Sequence, residues 1–333
     1  MAMDLLDGAC GLELKRRMAQ GAAYNLTLFS TAALRDTPEA IAQLHRDYVR
    51  AGCTVITTAT YAATEFYLDK IGEGSRVAEL AERAVRLART AIRTEKAEAR
   101  VRVAACVPPL GESYQPASHL TNAEKRAQYL DLAHALRGCD LFLVETMATL
   151  EEATLAAKCC REVAPDLPLW ISFNPTCMLS SAGRPSVVGD GASIASAVDA
   201  ASALGAEAIL FNCATPACIA AAVDEAVSAA SGRLRVGGYA NFWEEHDPRG
   251  WSIDLQESAS NAGDRKPGGM VVRSDLTHEL YAEAASEWQR AGASIVGGCC
   301  GIGPECIREC GLRCSIGGLA RTRSHAGKRK HAA

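Results

Sequence analysis

Three cysteines stand where two apolar, strand-like segments of the chain end. Cys213 follows residues 208–211, and Cys299 and Cys300 follow residues 294–297. Three thiolates with a fourth position open are typical of a catalytic zinc site, and soft sulfur ligands favour zinc over magnesium or calcium. Because neighbouring strand residues point to opposite faces, the adjacent pair can bind one ion only where the strand becomes a turn. The glycines that permit such a turn are Gly297, Gly298 and Gly301.

Other interpretations of these cysteines stay open. The chain has fourteen cysteines, so adjacent pairs also arise by chance, and Cys159-Cys160 in a predicted helix is interpreted as core packing. Residues 297–303 also precede a predicted helix start, where barrels often bind phosphate. Cysteine side chains add nothing to a backbone phosphate cradle, however, and Cys213 at a second strand end favours the metal site.

Two carboxylates also end predicted strands, Asp7 on the first and Glu145 on the fourth. They suit a general acid/base pair, or they hold a substrate ammonium group through charge-assisted hydrogen bonds. A third interpretation is that they cap the helices that follow. No lysine stands at a strand end, which argues against a Schiff-base aldolase. The candidates for substrate contact are Asp7, Gly8, Tyr61, Glu145, Asn212 and Asn241.

The elements that must position these residues alternate between strands and helices. Short apolar runs predict strands at residues 5–7, 54–58, 101–106, 141–145, 169–173, 208–211, 234–237 and 294–297. Alanine-rich stretches predict helices, most clearly at 76–94, 123–136, 150–163, 193–204, 217–230 and 278–291. Eight such strands over about 300 residues favour an α/β fold with a single (β/α)8 TIM barrel, in which active sites lie at the carboxyl ends of the strands.

Two segments interrupt the alternation, and both follow strands on that face of the barrel. Residues 172–190 are rich in Ser, Pro and Gly, and residues 241–273 are long and polar. Such loops suit a lid or substrate contacts, and His246 in the second is interpreted as a solvated loop histidine. The barrel domain is predicted to span residues 1–316, followed by a basic, disordered tail at 317–333.

The composition excludes several classes of protein. Of the 333 residues, 48% are hydrophobic, which is enough for one large core. The net charge of −4 argues against a surface that binds nucleic acids or anionic membranes. Neither a membrane-spanning apolar run nor a signal-peptide pattern is seen, so we expect a cytoplasmic protein. In such a chain, some of the cysteines are expected to bind metal or take part in catalysis, and most of the others are expected to be buried as small hydrophobic residues.

Five motifs follow one another along the chain at the predicted strand ends. They are Asp7-Gly8-Ala9-Cys10-Gly11-Leu12-Glu13-Leu14, Thr58-Ala59-Thr60-Tyr61, Phe142-Leu143-Val144-Glu145-Thr146-Met147, Asn212-Cys213-Ala214-Thr215-Pro216 and Gly297-Gly298-Cys299-Cys300-Gly301. Taken in this order, the motifs resemble the homocysteine S-methyltransferase family over roughly residues 4–312. The ordered set is specific, whereas any one motif alone is not.

The resemblance implies a barrel in which Cys213, Cys299 and Cys300 hold Zn²⁺, with the homocysteine sulfur as the fourth ligand. It also implies that Asp7 and Glu145 contact the homocysteine amino group. By length the chain is most similar to the branch that uses S-methylmethionine or S-adenosylmethionine. The expected partners are therefore homocysteine and a sulfonium methyl donor, and the expected state is a monomer or small homo-oligomer.

The chemistry that this resemblance implies has a simple physical basis. An alkyl thiol is mostly protonated at neutral pH, whereas the thiolate is the nucleophile, so a metal that binds the deprotonated form favours methyl transfer. Two alternatives stay open. One is a methyltransferase for another thiol or for a selenol such as selenocysteine, and the other is a non-catalytic, cysteine-based thiol or metal sensor.

Overall fold

A computed structural model describes residues 3–18, 29–117, 119–178, 184–244 and 273–314 of the chain. The predictions for His246 and for the tail at 317–333 lie outside these residues, as do parts of both long loops. Every helix in the described ranges is too short or too polar to cross a membrane.

The described chain contains ten strands, eight of which form a closed parallel sheet. In chain order they are β1 (Asp4–Leu5), β2 (Val55–Thr57), β3 (Arg102–Val107), β4 (Leu141–Met147), β5 (Leu169–Phe173), β6 (Pro175–Thr176), β7 (Ser186–Val187), β8 (Ala208–Asn212), β9 (Arg235–Ala240) and β10 (Ile295–Gly298). The spatial order is β1-β10-β9-β8-β5-β4-β3-β2, and a parallel bridge between Leu6 and Val55 joins the two ends. The short strands β6 and β7 pair antiparallel with each other in a second sheet.

Helices connect the strands and surround the barrel. In chain order they are α1 (Gly11–Met18), α2 (Phe29–Asp36), α3 (Pro38–Ala51), α4 (Glu65–Leu68), α5 (Val77–Thr94), α6 (Asn122–Leu136), α7 (Leu150–Val163), α8 (Ile194–Ala203), α9 (Pro216–Ala230), α10 (His278–Ala291) and α11 (Pro304–Arg313). Serine and threonine side chains fix where several of them begin, because each accepts a hydrogen bond from a backbone N–H in the first turn. These N-caps are Thr121, Thr149, Ser193, Thr215 and Thr277.

The barrel interior is filled at the amino ends of its strands. Asp4 pairs with both Arg102 and Arg235 at 2.8 Å, and the two guanidinium groups lie 5.3 and 5.6 Å from the centre of the Trp170 ring. Further along the axis the interior is packed by Leu6, Val55, Ala104, Leu141, Leu143, Ala208, Leu210 and Ile295. Because this end is closed by side chains, the space for a ligand lies at the carboxyl ends.

Alternate residues of the same strands face the helices, as the two-residue period of a strand requires. Phe142, Ile171 and Phe211 are buried in this outer core together with the apolar faces of the helices. The barrel therefore has two apolar layers, and the strand ends that carry the candidate site are held rigidly from both sides.

The structure confirms the predicted TIM barrel, with all eight predicted strands in place. The bounds differ by a few residues, most at β9, which was predicted at 234–237 and extends to Ala240. The alanine-rich criterion did not find the helices between β1 and β2, nor α11. The search for short apolar runs did not find the strand pair β6–β7, which lies within the predicted loop 172–190 and consists of two residue pairs.

Candidate metal centre and active-site cavity

The sulfur atoms of Cys213, Cys299 and Cys300 meet at the carboxyl ends of β8 and β10. All three lie within 4.8 Å of one another, with Sγ–Sγ distances of 3.9 Å from Cys213 to Cys300 and 4.0 Å from Cys299 to Cys300. Tetrahedral zinc with Zn–S bonds of about 2.3 Å separates its sulfur ligands by about 3.8 Å. The spacing therefore fits a zinc-sized ion, and within the described ranges no other group of His, Cys, Asp or Glu forms such a cluster.

Local backbone geometry turns these sulfurs toward one point. Cys213, directly after β8, adopts a left-handed conformation with φ of 59°, which is uncommon for a residue other than glycine. On the other side, the Ile302 N–H donates to the Cys299 carbonyl at 3.1 Å, and Gly301 has φ of 83°. This is the turn that two adjacent ligands require.

The pKa values of Cys299 and Cys300 shift in opposite directions within this trio. Hydrogen bonds from Cys213 and Cys299 hold the pKa of the Cys300 thiol well below its ordinary value. Hydrogen bonds with Cys213 and Cys300, together with burial, raise the pKa of Cys299 well above its ordinary value. Three sulfur atoms this close together suit a soft cation such as zinc.

The side chain of Asn212 contacts the sulfur cluster and the neighbouring strands. Its amide Nδ2 donates to Thr146 Oγ1 at 2.8 Å and lies 3.9 Å from Cys299 Sγ, while its Oδ1 accepts from Ser172 Oγ at 2.7 Å. The side chain is fully buried. Asn212 was predicted to contact the substrate, and the structure places its amide in a hydrogen-bond network beside the three cysteines.

A cavity of about 140 Å³ adjoins the sulfur cluster. Of the predicted site residues, Asp7, Gly8, Tyr61, Glu145 and the three cysteines line it, whereas Asn212 and Asn241 are not among its described lining residues. Asn241 instead accepts from the Trp243 N–H at 3.2 Å. The strand ends thus bring the two carboxyls and the three sulfurs to one cavity, as the barrel topology predicts.

Asp7 is a buried carboxyl at the wall of this cavity. Its Oδ2 accepts from the Thr57 N–H at 2.8 Å, and its Oδ1 accepts from the Thr57 hydroxyl at 3.0 Å. Burial raises the pKa of Asp7 to about 8, against the lowering effect of those hydrogen bonds. Its partner is on β2 rather than at a helix start, so the capping interpretation is wrong for Asp7.

Glu145 is the second buried carboxyl. The Tyr239 hydroxyl donates to its Oε2 at 3.3 Å, and burial raises the pKa of Glu145 to about 7. The register between β4 and β5 shifts between Val144 and Met147, and Thr146 has φ of 60°. A bulge of this kind re-aims side chains at a strand end. In the described chain, neither Glu145 nor Asp7 forms an ion pair, and α7 is capped by Thr149 instead of Glu145.

Gly8 is required by a close approach of two chain segments. A Cβ atom at this position would lie 2.2 Å from the Ile302 carbonyl oxygen. The Tyr48 hydroxyl donates to that same carbonyl at 3.1 Å and to the Ala9 carbonyl at 2.7 Å. The glycine therefore lets the segment after β1 pack against the turn that carries Cys299 and Cys300.

Sequence reasoning did not find Tyr114. This residue lies in the loop after β3, and its hydroxyl is 3.2 Å from Cys213 Sγ. The loop has no periodic pattern, and the contact depends on how it folds over the mouth of the barrel. Tyr239 is not among the predicted site residues, although it ends the row of inward-facing residues on β9 and contacts Glu145.

Comparisons with known proteins agree with this geometry. The model of the homocysteine S-methyltransferase family matches residues 4–312. A homocysteine S-methyltransferase of Bacillus subtilis, YbgG, is 28% identical, and the match covers 92% of each chain. A selenocysteine Se-methyltransferase of Brassica oleracea is 27% identical, over 91% of this chain and 86% of that protein.

A solved structure has the same fold along nearly the whole chain. The metallated form of the homocysteine methyltransferase MmuM from Escherichia coli superposes with a TM-score of 0.72 at 25% identity, covering 93% of this chain and 96% of that one. The family match spans both carboxyls and all three cysteines of the cavity. The chain therefore belongs to the homocysteine S-methyltransferase family and is a methyltransferase of that family.

Proposed function

We propose that this enzyme transfers a methyl group from a sulfonium donor, S-methylmethionine or S-adenosylmethionine, to the sulfur of L-homocysteine, with zinc on three cysteines. The observation that carries the proposal is the juxtaposition of two sites in one cavity. Cys213, Cys299 and Cys300 present sulfur ligands on one side, and Asp7 and Glu145 present carboxyls without a cationic partner in the described chain. A small molecule that carries a thiol and an ammonium group can bind the metal on the sulfur side through its thiol and the two carboxyls through its ammonium group.

The zinc would be held by the Sγ atoms of Cys213, Cys299 and Cys300, whose spacing and softness suit it. When bound there, zinc favours the deprotonated form of a substrate thiol and so supplies a thiolate nucleophile at neutral pH. The Asn212 amide orients Cys299, and the Tyr114 hydroxyl contacts Cys213. These contacts restrict the ligand side chains to one arrangement.

Recognition of the amino acid is assigned to Asp7 and Glu145. A substrate ammonium between them forms charge-assisted hydrogen bonds in a buried setting, where such bonds are strong. Thr57 fixes the orientation of the Asp7 carboxyl and Tyr239 that of the Glu145 carboxyl. Because burial raises both pKa values, the carboxyls gain their charges together with the bound cation, and proton release accompanies binding.

The transfer forms one carbon–sulfur bond and breaks another. The homocysteine sulfur takes the methyl carbon, and the electron pair of the broken bond stays on the sulfur of the donor, which leaves neutral. The reaction needs the two sulfurs in line across the methyl group, so positioning by a rigid cavity is the main contribution of the protein. The carboxyls of Asp7 and Glu145 are themselves buried, which limits the access of water to a bound ammonium group.

A selenol acceptor is the second candidate. The relative from Brassica oleracea is a selenocysteine Se-methyltransferase, and it is about as similar to this chain as the homocysteine enzymes are. Selenocysteine carries the same ammonium group with a shorter side chain. Competition between homocysteine and selenocysteine for one donor separates the two acceptors. A non-catalytic sensor is not carried forward, because the chain belongs to an enzyme family.

The test is methionine formation from homocysteine with S-methylmethionine, S-adenosylmethionine or betaine, each supplied alone to the zinc-loaded enzyme. We expect turnover with one or both sulfonium donors and none with betaine. Turnover with betaine alone, or with no donor of the three, would contradict the proposal. A cytoplasmic location and a monomeric or small homo-oligomeric state stay predictions from the sequence.

A further inference from the structure

A second pair of cysteine sulfurs lies in contact outside the metal cluster. Cys177 Sγ and Cys218 Sγ are 2.9 Å apart, and both residues are thiols in the structure. A disulfide bond is about 2.05 Å long, so a small movement of these side chains brings them to bonding distance. We propose that Cys177 and Cys218 form a modification site that is oxidised reversibly by low-molecular-weight disulfides.

The two cysteines come from different parts of the barrel mouth. Cys177 directly follows β6, and Cys218 lies in the first turn of α9, where its N–H donates to Thr215 Oγ1 at 3.3 Å. Both line a small cleft of about 30 Å³ that also includes Cys213 and Met178. A bond between them would therefore fasten the segment after β5 to the helix that begins three residues after Cys213.

Their different exposure sets the order of the reaction. Cys177 is partly exposed and its neighbour Met178 is 49% exposed, whereas Cys218 is only 5% exposed. Access controls which thiol attacks a disulfide from solution. Cys177 is thus the entry thiol, and Cys218 is the resolving thiol behind it.

The exchange balances without any further reagent. The Cys177 thiolate attacks one sulfur of the small disulfide, the S–S bond of that disulfide breaks, and the first small thiol leaves. The Cys218 thiolate then attacks Cys177 Sγ in the mixed disulfide, and the second small thiol leaves. The two protein sulfurs are oxidised, the small disulfide is reduced to two thiols, and these take up the two protons of the protein thiols.

Other cysteines in the described chain are less suited to this reaction. The Cys300 sulfur lies 3.9 Å from that of Cys213 and 4.0 Å from that of Cys299. In the zinc-loaded enzyme these three sulfurs would be bound to the metal. Cys306 and Cys310 are fully buried in α11, one helical turn apart. The pair Cys177–Cys218 combines a sulfur contact of 2.9 Å with partial access from solvent at Cys177.

The experiment treats the full-length, zinc-loaded protein with oxidised glutathione, traps the remaining thiols by alkylation, and maps linked peptides by mass spectrometry with fragment-ion sequencing. We expect one disulfide per chain between Cys177 and Cys218, a mass loss of about 2 Da, and full reversal by dithiothreitol. A disulfide confined to Cys213, Cys299 and Cys300, or no disulfide at all, would overturn the proposal. The wild-type map decides this without any variant.

Variants test the order of the two thiols. Cys218→Ser should retain a glutathione adduct on Cys177, because the resolving thiol is gone, whereas Cys177→Ser should form neither adduct nor disulfide at this site. Cys139→Ser, which removes a cysteine from the turn before β4, is the matched control and should form the Cys177–Cys218 disulfide to the wild-type extent. A stable adduct on Cys218 in Cys177→Ser would overturn the assigned order.

Discussion

The Asn212 amide reaches from the end of β8 to within 3.9 Å of the Sγ atom of Cys299, the residue after β10, and the same amide nitrogen donates to Thr146 on β4. One buried side chain thus connects the sulfur cluster to β4, the strand that carries Glu145. Hydrogen bonds to the ligands of a metal restrict their orientation and tune their basicity, and removing one typically costs 10–100-fold in metal affinity or activity. We therefore predict that Asn212 acts as a positioning residue for the zinc site.

Asn212→Ala should bind zinc about 10–100-fold more weakly than the wild type. At saturating zinc its KM for homocysteine should stay close to the wild-type value, because the amide does not line the cavity. Competition with a chromogenic chelator measures the zinc affinity, and steady-state kinetics measure KM. Asn122→Ala, at the exposed start of α6, is the control. Unchanged zinc affinity in Asn212→Ala would argue against the positioning role.

Asp7→Asn and Glu145→Gln should each raise KM for homocysteine about 10–100-fold, the value of one charge-assisted hydrogen bond. Both substitutions keep an oxygen that can accept from Thr57 or Tyr239, so the fold should be retained. Zinc content should not change, because neither carboxyl is a ligand.

The desamino analogue of homocysteine separates recognition from general damage. It lacks the ammonium group, so Asp7→Asn should bind it as well as the wild type does, or better. Inhibition constants for the analogue against both enzymes provide the measurement. Equal losses for homocysteine and the analogue would show that Asp7 does not recognise the amino group.

The pH dependence follows from the same two carboxyls. The pKa values of Glu145 and Asp7 are raised to about 7 and about 8. Below these values the carboxyls are protonated and do not attract an ammonium group, so kcat/KM for homocysteine should rise with pH through this range. Asp7→Asn should lose the upper part of the rise, near pH 8. A profile identical to the wild type would contradict the assignment.

His45 should make the protein sensitive to acid. This α3 residue is 2% exposed, both of its ring nitrogens lack a partner in the described chain, and burial lowers its pKa from 6.5 to about 4. The unfolded chain therefore takes up a proton at higher pH than the folded one. The stability contributed by the neutral ring is complete above pH 6.5 and is lost as the pH falls toward 4.

At pH 5 the loss from this residue alone amounts to about 2 kcal/mol. His45→Leu should reduce the difference in unfolding free energy between pH 7 and pH 5 by that amount, as measured by urea denaturation. His134→Leu, at an exposed position on α6, is the matched control and should keep the wild-type pH dependence. A His45→Leu variant with an unchanged pH dependence would contradict the explanation.

The sequence was sufficient to predict the barrel and to predict which cysteines and carboxyls meet at its mouth. Parallel strands place all their carboxyl ends at one mouth, so residues that end apolar runs must converge even when 86 positions separate Cys213 from Cys299. Asp7 and Glu145 could be placed in the same way. This inference needs only the approximate end of each strand.

The groups that individual side chains contact could not be predicted from the sequence as well as the strand ends could. Asn212 continues the row of inward-facing residues formed by Ala208 and Leu210. Its amide forms hydrogen bonds with Ser172 and Thr146, however, and does not line the cavity. Which polar group a buried amide bonds depends on neighbouring strands and on the bulge at Thr146. Tyr114 reaches Cys213 from an irregular loop, and no sequence period indicates such a contact.

In the proposed function, the three sulfurs hold a zinc ion on which methyl transfer depends. The most direct measurement is zinc content together with methionine formation in the wild type and in Cys213→Ala and Cys299→Ser, with Cys139→Ser as the control. We expect about one zinc per chain and full activity in the wild type and the control, and joint loss of zinc and activity in both ligand variants. Wild-type turnover by either ligand variant without bound metal would contradict the account.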